Sequence, residues 1–173
     1  MAITLDGTNG ITTPAILNSG ANGVGNIGNA TTYFNTVFAK ATSAQYADLA
    51  EMYTADVEYA PGVLLEFGGD TEVTATTQNH TTKIAGIVST NPSYLMNAAQ
   101  SGEYVVAVAL IGRVPCQVVG TIHKGDRLVA SDITGVATVL DDAAYKPGCI
   151  VGKALENYQS TKVGTIEVAV GRD

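Results

Sequence analysis

From Val63 onwards the chain is cut every ten or so residues by turn formers, and short apolar runs rich in β-branched side chains lie between the cuts. Pro61-Gly62, Gly68-Gly69-Asp70, Asn91-Pro92, Gly112, His123-Lys124-Gly125-Asp126 and Pro147-Gly148 supply the punctuation. No amphipathic run between them is long enough for a sustained helix. The spacing predicts strands over 63–67, 73–76, 84–89, 104–110, 114–119, 127–130, 137–140, 149–155 and 165–170. A succession of this kind builds a β-sandwich or a barrel. The run 105–111, Val-Val-Ala-Val-Ala-Leu-Ile, is apolar on both faces and reads as a central strand. The run 163–170 alternates better and closes the domain.

The N-terminal part follows a different rule. Between Asp6 and Asp48 the only charged residue is Lys40. Turn formers recur every few residues, and no helical period appears before Ala39. Such a segment cannot bury a core alone and gains order only against a partner or copies of itself. From Tyr33 the pattern changes. Phe34, Val37 and Phe38, followed by closely spaced alanines, predict a strand or bulged turn running into a short helix through Tyr53. A helix this short needs tertiary or intersubunit contacts to persist. The expected protein is therefore mainly β: an extended segment over 1–32, a short helical neck over 33–55 and a β-rich, sandwich or barrel-like knob over 56–173.

Composition narrows the function classes. Charged residues make up 14% of the chain, against roughly 25% in ordinary soluble domains, and there are 19 glycines. A surface so poor in charge suits a protein covered largely by partners. The net charge of −7, with no lysine or arginine cluster, argues against nucleic acid as a partner. No cationic leader precedes an apolar run, and no stretch approaches the roughly 18 residues of a membrane span. Membrane insertion is not expected, and synthesis in the cytoplasm is. Cys116 and Cys149 are compatible with one disulfide; without a secretion signal they are expected to be reduced small hydrophobes.

The sharpest chemical candidate is Asp48-Leu49-Ala50-Glu51. On a helix, i and i+3 share a face, and two neighbouring carboxylates can divide into an acid and a base. The competing reading is that both acids cap and solubilise the neck or bond to a neighbouring subunit. Gly23-Val24-Gly25-Asn26-Ile27-Gly28 has dinucleotide-loop spacing but neither the preceding strand nor the following helix, so it reads as turns. His80 and His123 have no second ligand at metal spacing. Lys124-Gly125-Asp126 reads as a hairpin turn. No nucleophilic triad is arranged in plausible order, and no cofactor or metal is expected.

Several segments resemble a known family. Ile3-Thr4-Leu5-Asp6-Gly7-Thr8-Asn9-Gly10-Ile11-Thr12-Thr13-Pro14 is similar to the start of many bacteriophage tail and fibre proteins. Ile27 to Ala39 resembles the repeat that precedes the C-terminal domains of tail fibres. Tyr46 to Glu51, Tyr59 to Gly62, Gly86 to Pro92 and Gly112 to Cys116 follow in the order found in the terminal β-domain of phage and cyanophage structural proteins. The resemblance implies a non-enzymatic virion appendage that trimerises. Its docking segment would use Ile3, Leu5, Ile11, Ile16 and Leu17, and its intersubunit core Tyr33, Phe34, Val37, Phe38, Leu49 and Met52. Partners would be itself and other tail, baseplate or capsid proteins. Host-surface glycan is an alternative ligand, met by loops 78–82 or 94–102 with Tyr94, Tyr104, Tyr145 and Tyr158 as platforms. A second alternative is the self-cleaving chaperone domain of phage appendages, in which the Asp-x-x-Glu acids act. Carried over, Asp48 and Glu51 would cut the Ala47–Asp48 bond.

Overall fold

The computed structural model describes residues 46–171, together with Gly20, Ile27, Asn29, Thr31, Thr32 and Asn35. The chain divides into two units, Met1–Thr42 and Ser43–Asp173. In the first, the Asn29 side chain accepts hydrogen bonds from the Thr31 and Thr32 amides at 2.9 and 2.8 Å, an Asx turn. The docking residues Ile3, Leu5, Ile11, Ile16 and Leu17 and the neck residues Tyr33, Phe34, Val37 and Phe38 lie outside the described residues.

The second unit is β-structure with one 3₁₀ turn at Asp142–Ala144. Its strands are β1 (Asp48–Ala55), β2 (Leu64–Phe67), β3 (Val73–Ala75), β4 (Ile84–Val88), β5 (Tyr94–Met96), β6 (Tyr104–Ile122), β7 (Arg127–Ala130), β8 (Ala137–Val139), β9 (Ile150–Ala154) and β10 (Tyr158–Val170). All ten belong to one hydrogen-bonded sheet. Among the described residues, no helix is long and apolar enough to cross a membrane.

The sheet closes on itself twice. β1 pairs with β6, β6 with β4, β4 with β2 and β2 with β3, all antiparallel. The ring then closes through a parallel contact of β3 with β1 at Val73 and Ala55. The second ring runs β6, β10, β9, β7, β8, again antiparallel until β8 returns to β6 in parallel at Ala137 and Val118. The 19-residue β6 is therefore the last strand of one ring and the first of the next. Of the sandwich and barrel alternatives, the pairing realises the barrel-like one.

The two rings match residue by residue. Leu65 pairs with Ala75 and Gly86, and Leu128 pairs with Val139 and Gly152. A bulge follows each, between Leu65 and Glu66 and between Leu128 and Val129. The Gly62 amide donates to the Val88 carbonyl at 2.9 Å, and the Gly125 amide to the Ala154 carbonyl at 2.8 Å. Ser89 to Ala107 and Leu155 to Glu167 repeat the next bond. Gly86 and Gly152 are required for one reason: a Cβ on either would collide with the carbonyl oxygen of Ala109 or Ala169 on the adjoining strand.

Side chains alternate across each strand and fill two main cores, beside a smaller cluster of Val129, Leu140 and Cys149. Leu65, Val73, Val88, Val106 and Val108 occupy the first. Val114, Cys116, Val118, Leu128, Val151, Ile166 and Val168 occupy the second, joined by Leu64, Ile87 and Ala109 from strands of the first ring. Because neighbours Leu64 and Leu65 point into different cores, the rings are welded along β2, β4 and β6.

The structure corrects several expectations. Residues 48–55, read as the end of a helical neck, form β1 inside the sheet, with Ala50 and Ala55 buried. Alanine, leucine and methionine are good helix formers, but such preferences amount to less than about 1 kcal/mol per residue, and pairing with β5 on one side and β6 on the other outweighs them. The predicted strands 104–110 and 114–119 are one strand. Gly112 at φ +121° lies inside it, and its open face receives the Ala47 carbonyl and Asp48 Cα of β1's start. Residues 94–96, read as loop, form β5. Lys124-Gly125-Asp126 turns the chain but joins no hairpin, since β7 pairs with β8 and β9 and not with β6.

Candidate functional site

Four of the knob segments singled out in the sequence come together around the start of β1. The Arg113 amide donates to the Ala47 carbonyl at 3.3 Å, and the Ser93 amide to the Asp48 carbonyl at 2.8 Å. Ser89 donates its hydroxyl to Asp48 Oδ2 at 2.6 Å across 41 residues of sequence. The Gly62 amide reaches Val88, and its carbonyl accepts from the Gln117 amide at 2.8 Å. Segments 46–51, 59–62, 86–92 and 112–116 are thus fastened to one another or to an adjoining residue at the junction of the two rings. A small depression of about 220 Å³ lies here, lined by Tyr46, Asp48, Asn91, Arg113 and Glu167 among others.

Asp48 is 5% exposed, and no basic side chain lies within 4 Å of it among the described residues. Its carboxylate is therefore held by the Ser89 hydroxyl, and the pair fastens the turn after β4 to β1. Glu51 is not beside it. On a strand, residues three apart fall on opposite faces, so the helical premise for an acid–base pair is removed. Glu51 instead accepts from the Tyr53 hydroxyl at 2.8 Å. Burial, and then the Glu51 carboxylate, push the Tyr53 phenol up to about 12. Tyr53 also meets Phe67 edge-to-face at 5.6 Å. Leu49 and Met52, expected in a helical seam, are half-buried on β1.

Two further carboxylates of the first ring are committed to hydroxyl and amide donors. Asp56 accepts from Tyr59 at 2.6 Å and Thr74 at 2.8 Å. Burial pushes its pKa up, but these bonds prevail and hold it below the ordinary value. Glu72 accepts from the Thr54 amide and hydroxyl and from the Gln100 amide, which hold it low as well.

The remaining candidates are dispersed. His123 lies 3.6 Å from Asp126 in an exposed turn, and His80 sits at φ +55° in another loop. No group of three metal-ligating side chains occurs among the described residues. Cys116 and Cys149 are buried and free, and burial pushes the Cys116 thiol up to about 12. Of the aromatic platforms, Tyr94 and Tyr145 are 64% and 48% exposed. Tyr158 spends its hydroxyl on the Lys162 carbonyl at 2.8 Å. The Arg127 guanidinium stands 5.9 Å over the Tyr145 ring and is paired with Asp142.

Sequence reasoning reached Asp48 but not its partner Ser89. Nothing local marks Ser89 as special, because the contact exists only once β1 and β4 lie in one sheet. Neither protein-family models nor curated proteins return a match to this chain.

Proposed function

We propose that the chain is a non-enzymatic structural subunit of a bacteriophage virion. It is a short trimeric fibre or appendage, attached through its N-terminal segment to tail, baseplate or capsid. The observation that carries this reading is the convergence of the fibre-like motifs. Four short stretches scattered over 46–116 are tied together by backbone hydrogen bonds and by the Asp48–Ser89 contact at the ring junction. Residues that serve as the joint of a scaffold do not have to be spent on chemistry, and Asp48 is engaged in just such fastening, while Glu51 accepts from Tyr53 on its own strand.

Attachment follows from the near-chargeless segment before Asp48, which gains order by docking. Three linked copies raise apparent affinity by roughly 10²–10⁴ without new contacts. Neck residues Tyr33, Phe34, Val37 and Phe38 form the intersubunit core, and the mature location is the virion. Replacing Phe34 or Val37 with Asp is expected to yield monomers by light scattering; a variant that stays trimeric removes the neck from this account. The exposed Tyr94 and the Arg127–Tyr145 pair favour a second reading, host-surface glycan recognition by the knob. A glycan array probed with the full chain separates the two, since no binding leaves the architectural role alone.

A further inference from the structure

The two rings act as controls for one another. A feature present in both is required by the fold, and a feature present in one is not. Their largest difference is the connection into the last strand: residues 89–103 between β4 and β6, against 155–157 between β9 and β10. The longer connection adds β5, which the second ring does without, and Asp48 fastens its beginning through Ser89 and Ser93. Among the described residues, β5 ends the strand order and pairs only with β1.

Register sets Tyr94, Leu49 and Ile111 in one row across β5, β1 and β6, and directly paired residues project from the same side of a sheet. Tyr94 is 64% exposed, Ile111 44%, and Tyr46, at 45%, lines the same shallow depression. Four large uncharged side chains thus stand together in a ring that is otherwise strongly acidic. Residues 48–111 hold eight acidic side chains against Lys83 alone, a net −7, while residues 112–173 hold seven of each sign. Exposed hydrophobics scattered singly are the normal state of a surface, whereas these stand side by side.

We propose that this row is a knob-to-knob contact and that its occupant is the same row on the other copies of the chain, gathered about the threefold axis. The inference rests on the reading of the chain as an oligomeric appendage and names the surface through which its knobs meet. Two observations select a second copy. Tyr46 belongs to the patch and is also where the knob continues into the N-terminal segment, so copies joined through that segment bring their patches together by covalent continuity. The patch is also small. Four side chains fall short of the roughly 800 Å² per partner of a free-standing complex, which suits one contact among several between linked copies.

The charge distribution adds a signature. Copies that meet through this row bring their acidic first rings together, so repulsion opposes the contact and added salt relieves it. An interface held by opposite charges responds in the reverse direction.

The test uses the full chain carrying Tyr94→Cys or Ile111→Cys, with Tyr145→Cys on the second ring as control, under mild oxidation. All three positions are exposed, and the native cysteines are buried. Linked copies raise the local concentration of all three thiols alike, but only the row thiols meet their counterparts in the contact, so both row variants are expected to form interchain disulfides at least about tenfold more than the control, and more so as salt is raised. If neither row variant crosslinks in a sample that light scattering finds oligomeric, the contact is overturned and the appendage reading stands. A wild-type chain that is monomeric at every concentration overturns both.

Discussion

Glycine at 86 and 152 illustrates how a single position can be dictated by a neighbour far away in sequence. Each lies where β4 or β9 passes so close to the next strand that no side chain fits, and Gly86 also holds φ at +149°. Gly86→Ala and Gly152→Ala are each expected to cost about 1–3 kcal/mol, as overpacked cores do, measured by denaturant unfolding. Ser89→Ala leaves the Asp48 carboxylate buried without its donor and is expected to cost about 1–3 kcal/mol. Ser89→Thr, which keeps the hydroxyl, recovers part of that loss. The thiol of Cys116 and the phenol of Tyr53 both bind their protons more tightly in the folded chain, at about 12 against ordinary values of 9.0 and 10.0. Their contribution is complete below pH 9.0 and is lost as pH rises towards 12. The melting temperature is expected to fall across that window, and Cys116→Val to lessen the fall, leaving the part due to the tyrosines Tyr53 and Tyr59, both of which burial pushes up.

Among the elements, β6 carries the architecture, and much of it was legible in advance. Its first half is apolar on both faces and was read as a central strand, and it pairs with β1 on one edge and β4 on the other. The predicted 127–130 coincides with β7, and the predictions over 63–67, 73–76, 84–89, 137–140 and 149–155 lie within one residue of the observed strands at each end. These succeed because period-two burial and turn formers are local signals. β1 and β5 were missed for the opposite reason. Asp-Leu-Ala-Glu-Met has no period-two pattern, and Tyr-Leu-Met is too short to show one. Both become strands because an edge was waiting for them. A proline within β6 tests the shared-strand role. Val118 belongs to the antiparallel ladder with β10 and is the residue through which β8 closes the second ring. Val118→Pro removes its amide from the ladder and, because the rings share core residues, is expected to prevent folding of both, with hydrogen exchange reading the loss in β2 to β4 as well as in β7 to β10.

At the scale of the whole molecule, the welded cores predict one cooperative transition for the knob and not two. Leu64 stands on a strand of the first ring yet fills the core of the second. Leu64→Ala is expected to cost about 2–5 kcal/mol and to lower the unfolding midpoint of both rings together, read by exchange protection in β3 and β8. A midpoint that shifts in one ring alone would show that each closes independently.

By itself, the sequence determined that the chain is mainly β from Val63 onwards, where its turns fall, and that the segment before Asp48 lacks the charge and periodicity of a self-sufficient domain. Those properties depend on residues close together in the chain. Only the tertiary structure decided that the strands close into two matching rings, that Asp48 pairs with Ser89 and not with Glu51, and that Tyr94, Leu49 and Ile111 form one row. Each of these depends on register between distant strands, and shifting a strand by one residue exchanges its faces. The resemblance between the rings is held in hydrogen bonds and glycine positions, whereas the side chains that fill them differ. For that reason the repeat is plain in the fold and hidden in the letters.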